Sequence, residues 1–305
     1  MEDQGRLNFK NLIAFFSQLF TPGLGRTLLY RFLIISVLPM SFVAYISIQN
    51  SVHTITQAQT DKLAAIAKAK HNHLAAYFTS TITNIRLQAE LENTVNFLQA
   101  MKQALQSSQA RHADKTLLEV TKGYQWAALE EEYGGDFSRF LTTYDYVDIL
   151  LLDNAGNVLY SIRRDGDLGS NVFSPELERQ PFSLTAQKAL ATGIPVYSDM
   201  HIYAPYNNQV ASFLMQAVVD EYGDKLGVLA IHLSQHPMQN IMQESTGLGA
   251  SGETFLVGKD LLMRSDSRFS QTIDVLSTSV ETEKSLLWQQ NNSTQIEKNV
   301  DPKYK

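Results

Sequence analysis

The first long apolar run reads FLIISVLPMSFVAYISI, from Phe32 to Ile48, and holds no charge. With Thr27 to Tyr30 on the far side of Arg31 it gives about 22 mostly apolar residues, enough for a helix to cross about 30 Å of hydrocarbon. Arg31 lies near the end of the run, where its stem can snorkel to the interface. Pro39 is tolerated in a membrane helix and kinks it. The run is too long and starts too late for a signal-peptide core, and no A-x-A site follows it. A helix buried inside a core is the alternative reading of the same pattern. Upstream, Leu7 to Phe20 is amphipathic and fits either a helix lying along the inner leaflet or a loose tail.

Residues 54–106 change to helical spacing. Ile55, Ala58, Leu63, Ile66, Lys70, Leu74, Tyr77, Ile82, Ile85, Ala89, Val95, Leu98, Met101 and Leu105 recur at steps of mostly three and four, and no Pro or Gly lies between residues 51 and 107. One helix of some 50 residues would extend about 75 Å. Its stripe of Ala, Thr and Ile suits packing on its own domain and pairing with a second copy. A bend near Lys70 to Asn72 between two stacked helices is the alternative. Beyond Ser107 strand patterns take over. Tyr146–Leu152 and Val158–Arg163 flank the turn Asp153-Asn154-Ala155-Gly156-Asn157. A helix at Ser183–Ala191 follows, then runs at Pro195–Tyr203, Val210–Val219 and Lys225–His232, the last two joined by a turn at residues 220–224. The order predicts an α+β domain, an antiparallel sheet with its helices on one face.

Charge sharpens the boundary near residue 50. Residues 1–49 carry a net +2 and the remaining 256 a net -8, within 305 residues of net charge -6. That balance excludes nucleic-acid binding by the whole chain through counterion release. Arg26, Arg31 and Lys10 precede the apolar run, which places the N-terminus in the cytoplasm and residues 50–305 outside it, in the periplasm or extracellular space. The chain has no cysteine, which removes disulfides, Cys-zinc sites and thiol catalysis.

Several stretches between residues 146 and 268 together resemble the double-Cache family of PAS-like extracytoplasmic sensor domains: YVDILLLDNAGNVLYSI, GDLGSN, SDMHIYAP, GVLAIHLS, MQNIM and GLGASGETFLVGKDLLMRSDSRFS. Such domains occur in bacterial methyl-accepting chemotaxis proteins, sensor kinases and nucleotide cyclases. The resemblance covers roughly residues 28–290. It implies a cytoplasmic tail at 1–26, a transmembrane helix at 27–49, a stalk helix at 50–107, a membrane-distal Cache module at 108–246 and an incomplete membrane-proximal module at 247–305. In the family two modules hang from one long helix, the distal one holds a small ligand, and a second span leads to an output domain. Here the chain ends about 60 residues into the second module, so residues 270–305 are expected to be poorly ordered.

The same resemblance implies a site. Asp199 stands where the family often places an acidic pocket residue, and Tyr197, Tyr203, Phe213, Met215 and Tyr160 are candidates to line one face with it. Asp167 in GDLGSN reads as a turn-former that shapes the pocket loop or touches the ligand. A buried carboxylate needs a cation, and Tyr offers area with a hydroxyl, so loss of Asp199 is expected to abolish ligand-induced stabilisation. Tyr and Phe in strands are also ordinary core residues, and Asp199 can equally cap a turn. The Arg and Trp that grip a ligand carboxylate in amino-acid-binding members have only loose counterparts in Trp126 and Arg139. Glu253 and Arg264 read as structural.

The expected function is a sensor of the chemoreceptor type in the bacterial inner membrane. Its partners would be an amino acid or other small metabolite, the lipid bilayer and a second copy joined through the stalk, with no nucleic acid. The alternatives are the input half of a histidine kinase or cyclic-nucleotide enzyme, or a stand-alone ligand-binding protein. No cofactor, metal site or catalytic residue is expected. Gly134-Gly135-Asp136-Phe137 only superficially matches the GGDEF signature, His71 and His73 diverge on a helix, and His232 and His236 do not form a helical metal pair. No phosphate-binding loop, zincin or serine-hydrolase motif occurs.

Overall fold

A computed structural model describes residues 24–112, 114–269, 275–282, 285–286 and 289–290. The amphipathic segment at 7–20, the cytoplasmic tail and most of the expected disorder at 270–305 lie outside these residues. The chain divides into two compact units, residues 1–64 with 298–305, and residues 65–297. In the first, the described residues are helical and the apolar run is entirely exposed.

Helix α1 spans Leu24–Glu90 and α2 spans Glu92–Arg111. The helix is continuous through Lys70 to Asn72. The helix breaks instead at Leu91, which has extended backbone. Thr94 stabilises the break by donating its hydroxyl to the Gln88 carbonyl at 2.7 Å, while the Gln88 amide donates to the Thr94 Oγ1 at 3.2 Å. No Pro or Gly is involved, so the cause is tertiary. Ile85 and Ala89 before the break and Phe97, Leu98 and Met101 after it all enter one buried cluster.

Two further helices follow, α3 at Leu117–Thr121 and α4 at Tyr124–Tyr144. Thr116 and Glu119 form a capping box at the start of α3. The interior pair Gly134-Gly135 hides α4 from a reading based on apolar spacing. Trp126 is 1% exposed and its indole N–H donates to the Leu159 carbonyl at 2.8 Å, pinning α4 to the sheet.

The main sheet has five antiparallel strands in the order β2-β1-β7-β6-β3: β1 Asp148–Asp153, β2 Val158–Ser161, β3 Val196–Tyr197, β6 Phe213–Val219 and β7 Lys225–His232. Asp153 builds the β1–β2 turn by accepting the N–H groups of Ala155 and Asn157, both at 2.9 Å. The predicted runs at Pro195–Tyr203 and Val210–Val219 are each split, and β4 (His201–Tyr203) pairs with β5 (Gln209–Ala211) as a separate hairpin. Ser198 marks the split, its hydroxyl accepting the Phe213 N–H at 2.8 Å in place of a ladder bond.

Helices cover both faces of the sheet, not one. Ile149, Leu151, Leu214, Leu229 and Ile231 face α2, α4 and the end of α1. Leu150, Leu152, Phe213, Met215, Val228 and Ala230 face helix α5, Pro181–Thr192. Strands that are apolar at every position need two covers. Helix α6, His236–Gln243, begins with Pro237 in its first turn and ends against Lys70 of α1. The Lys70 ammonium donates to the carbonyls of Ile241, Met242 and Glu244 at 2.6–2.8 Å, which matches its three N–H groups to the free carbonyls of a helix end. Beyond residue 247 the described residues form isolated bridges, Val257 with Met263 and Leu262 with Ser279.

Gly227 of β7 lies opposite Asp153 of β1, and a Cβ built on it would sit 1.9 Å from the Leu152 carbonyl oxygen. Gly227→Ala must push two central strands apart. It should destabilise the fold by about 2 kcal/mol, the usual size for overpacking, and lower the melting temperature by roughly 4–8 °C, as read by thermal denaturation.

Candidate ligand-binding site

The site lies on the sheet face covered by α5, where polar groups gather at one end of an apolar layer. Asp148 starts β1, and its carboxylate accepts from the Ser161 hydroxyl at 2.7 Å and the Arg163 N–H at 3.1 Å. That anchors the loop leaving β2. Four residues on, the loop turns through Gly166-Asp167-Leu168-Gly169. Gly169 has φ +77 and its ideal Cβ would lie 2.6 Å from the Leu118 Cα, so no other residue fits there.

Asp167 is 3% exposed. Its backbone carbonyl makes the turn by accepting from Ser170 N–H and hydroxyl at 3.0 and 2.6 Å, as the sequence led one to expect of a turn-former. Its side chain does something else. Oδ2 accepts the Tyr203 hydroxyl at 2.9 Å, and Oδ1 is buried with no partner among the described residues. Burial pushes the carboxyl up to about 6, against the opposing pull of the Tyr203 hydrogen bond. The Tyr203 phenol is driven far above its ordinary range, first by burial and then by Asp167.

Aromatic rings enclose this pair. Phe182 of α5 stacks on Tyr203 with centroids 5.4 Å apart, and Phe213 meets both rings edge-on at 4.7 and 4.9 Å. His232 lies 4.7 Å from Phe213, the ring of Tyr206 meets His232 edge-on at 4.8 Å, and the Arg163 guanidinium covers Tyr206 at 5.0 Å. Burial, helped by the Arg163 charge, lowers His232 to about 4, so it is neutral at neutral pH.

His201, one strand position from Ile202 and two from Tyr203, completes the shell with centroids 5.8 Å from Tyr203. Its Nδ1 lies 2.9 Å from the Asp199 carbonyl oxygen, which can only accept. That assigns the proton to Nδ1 in the neutral ring and leaves Nε2 as an acceptor. Nε2 is buried and has no partner among the described residues. Burial lowers the His201 pKa and keeps the ring in that form. Both orphan atoms around Tyr203, Asp167 Oδ1 and His201 Nε2, therefore demand a hydrogen-bond donor. A buried acceptor left unmade costs about 1–3 kcal/mol, and an N–H or ammonium group would satisfy both.

The candidate residues named from sequence do not form one set. Asp167, Tyr203, Phe213 and Met215 share this face. Tyr160 and Tyr197 stand on the opposite one. For Tyr197 the reason is the alternation of β3, where Val196 faces α5 and Tyr197 faces α1, donating its hydroxyl to the Phe78 carbonyl at 3.0 Å. For Tyr160 it is a register shift in β2 at Leu159, which turns the ring onto Phe97 and Phe137. Asp199 lies outside the aromatic shell. It is 66% exposed and binds Arg264 through both oxygens at 2.8 and 2.9 Å, while Arg264, 8% exposed, also holds Asp260 at 2.8 Å. The Arg264 hydrogen bonds keep Asp199 below the usual carboxylate range. Trp126 and Arg139 are no ligand clamp either. Trp126 is core, and Arg139 pairs with Asp136 on the surface. Sequence reasoning missed Phe182, His201, Tyr206 and His232. The strand register held the signal for two of them, because Phe213 pairs with His232 and His201 precedes Tyr203 by two. Among the described residues no cluster of three or more His, Asp or Glu could hold a metal ion.

No protein-family model matches this chain, and no curated protein does. Solved structures do match. The sensor domain of the V. cholerae histidine kinase DctB is 14% identical with a TM-score of 0.44, over 62% of this chain and 60% of that domain. The chain thus spans about 60% of the DctB sensor domain's length. The ligand-binding domain of the Campylobacter jejuni chemoreceptor Tlp3, in complex with L-valine, is 13% identical with a TM-score of 0.44, over 70% of this chain and 73% of that one. That of the Pseudomonas fluorescens chemoreceptor CtaA, in complex with L-serine, is 16% identical with a TM-score of 0.42, over 72% and 77%. These three structures are ligand-binding or sensor domains of two chemoreceptors and a histidine kinase, the class to which the sequence resemblance pointed.

Proposed function

We propose that this chain is the small-molecule-sensing input region of a bacterial membrane receptor of the chemoreceptor type, anchored by the apolar start of α1, with residues 50–305 outside the cytoplasm. The observation that carries the reading is the pair of orphan acceptors, Asp167 Oδ1 and His201 Nε2, inside an aromatic shell. The ligand is a small molecule with an ammonium or N–H donor, and amino acids are its first candidates. The apolar run beginning at Thr27 supports a lipid partner, being long enough to cross a membrane and wholly exposed. Exposed Val52 and Ile55 of α1 support pairing with a second copy. The ligand would draw α5 and the β4–β5 hairpin onto the sheet, and a coupling of about 1–3 kcal/mol suffices to bias a two-state assembly.

Melting of the full chain in lipid nanodiscs, against a panel of amino acids and small amines, tests this. A true ligand at a hundred times its dissociation constant stabilises by about 2.7 kcal/mol, a rise of roughly 5–10 °C. Asp167→Asn should remove that rise, and Asp199→Asn should leave it. If no donor-bearing ligand shifts the transition, or if Asp199→Asn alone removes the shift, this reading of the site is wrong.

Acidity gives an independent check. Asp167 titrates near 3.8 when unfolded and near 6 when folded. The folded state therefore binds the proton more tightly, and Asp167 lowers stability as pH rises through that window. Asp167→Asn should make the ligand-free protein more stable, by an amount that grows between pH 4 and 6 and levels off at about 3 kcal/mol above it. Because the ligand needs the carboxylate, wild-type affinity should fall about tenfold per pH unit below pH 6. Titration calorimetry at several pH values reads this, and a flat profile from pH 5 to 7 would contradict it.

A further inference from the structure

The opposite side of the sheet holds a cleft. It measures about 250 Å³ and lies between α4 and the end of β2, lined by Glu130, Gly134, Gly135, Ser138, Tyr160 and Arg164 among others. At about 30 Å³ of liquid volume per water, it has room for a molecule of well under a dozen heavy atoms.

Helix packing does not explain Gly135, and at Gly134 it presses only on the tip of Tyr160. Each costs a helix interior about 1 kcal/mol relative to alanine, and both lie in the middle of α4. Such a cost is expected where a neighbouring backbone comes too close for a Cβ. Here a Cβ on Gly135 would meet nothing within 4 Å, and one on Gly134 would come 3.4 Å from the Tyr160 hydroxyl oxygen. The bare backbone instead keeps the cleft open above Tyr160.

What the cleft presents is chemically specific. The Tyr160 ring is fixed by Phe97 and Phe137, its hydroxyl makes no hydrogen bond to another described residue, and burial together with the Glu130 charge holds it neutral. It can donate or accept. Glu130 is paired to Arg164 through Oε2, while Oε1 is buried without a partner among the described residues. Arg164 is held in a left-handed conformation, φ 55, by its N–H on the Ser161 hydroxyl at 2.8 Å, and half of its side chain is exposed. The cleft thus offers an orphan anionic acceptor, a neutral phenol and spare guanidinium N–H groups, with formal charges that cancel.

We propose that this cleft is a second ligand site, for a compact amino carboxylate of zero net charge. Its ammonium would meet Glu130 Oε1, and its carboxylate would accept from the Tyr160 hydroxyl and Arg164. The glycine pair, met in the sequence as a chance likeness to a cyclase signature, is then the wall of a binding site and has no part in nucleotide chemistry.

The test uses 13C-glycine as probe and NMR saturation transfer on the full chain in nanodiscs, in an Asp167→Asn background that silences the first site. Saturable binding is expected. Gly135→Leu should abolish it by filling the cleft, while raising the melting temperature because leucine favours helix. Tyr160→Phe should weaken binding at least tenfold with the fold intact. In the protein with Asp167 restored, Gly135→Leu should leave the first site's ligand response unchanged, so failure of either site is seen separately. The proposal is overturned if glycine does not bind saturably in that background, or if neither variant weakens it.

Discussion

Strands β1, β6 and β7 carry apolar side chains on both faces, and a sheet of that kind is stable only when both faces are removed from water. Helices and loops between Ile85 and Ala211 answer that requirement. On one side the end of α1, with α2 and α4, buries Ile149, Leu151, Leu229 and Ile231. On the other, α5 and the loop after β2 bury Leu150, Leu152, Val228 and Ala230. At about 25 cal/mol per Å², neither layer is dispensable. The two covers also differ in kind. The first is made of helices continuous with α1, and the second of a short helix, a hairpin and a loop, elements with fewer internal constraints. The shell of orphan acceptors belongs to that second cover.

Contacts within this unit run from the second cover to the first. The strand that precedes the β4–β5 hairpin ends in Tyr197, whose hydroxyl bonds to the Phe78 carbonyl and the Thr81 hydroxyl on α1. The same stretch ends in Asp199, whose ion pair with Arg264 ties it to the segment after residue 247. Strand β7 leads through His232 into α6, whose carbonyl end is held by Lys70. Desolvation depresses Lys70, and an uncompensated ammonium at that depth would be costly. Three carbonyls at a helix C-terminus, where the dipole is negative, compensate it. A shift of the hairpin or of α6 therefore meets α1 at two separated points, Phe78 and Lys70, about two turns apart on one helix.

The buried polar groups divide by how completely they are satisfied. Asp148 has accepted three hydrogen bonds and Asp153 three, and both are turn architecture. Arg264 spans two carboxylates. Among the described residues, Asp167, His201, Glu130 and Gln216 each leave one buried acceptor atom without a partner. Asp199 and Asp167 are the same residue in opposite surroundings, the first ion-paired to Arg264 and the second buried with one oxygen unpaired.

Much of this was legible in the sequence because it rests on local periodicity. The uncharged run at 32–48, the helical spacing after 54, the Asp153–Asn157 turn and the strands ending at Val219 and His232 follow from side-chain spacing and turn chemistry that need no distant partner. The face of each strand residue was not legible wherever one added residue inverts it. Leu159 in β2 turned Tyr160 away from Tyr203, and Ser198 split a run that read as continuous. The break at Leu91 carries no Pro or Gly, and the Gly134-Gly135 pair concealed α4, so both were decided by what the helices pack against. The site itself depended on non-local pairing. Asp167 and Tyr203 are 36 residues apart, and Asp199 and Arg264 are 65 apart. Whether a carboxylate faces a tyrosine, a guanidinium or nothing is fixed by which chain segments the sheet brings together, and only the tertiary structure decides that.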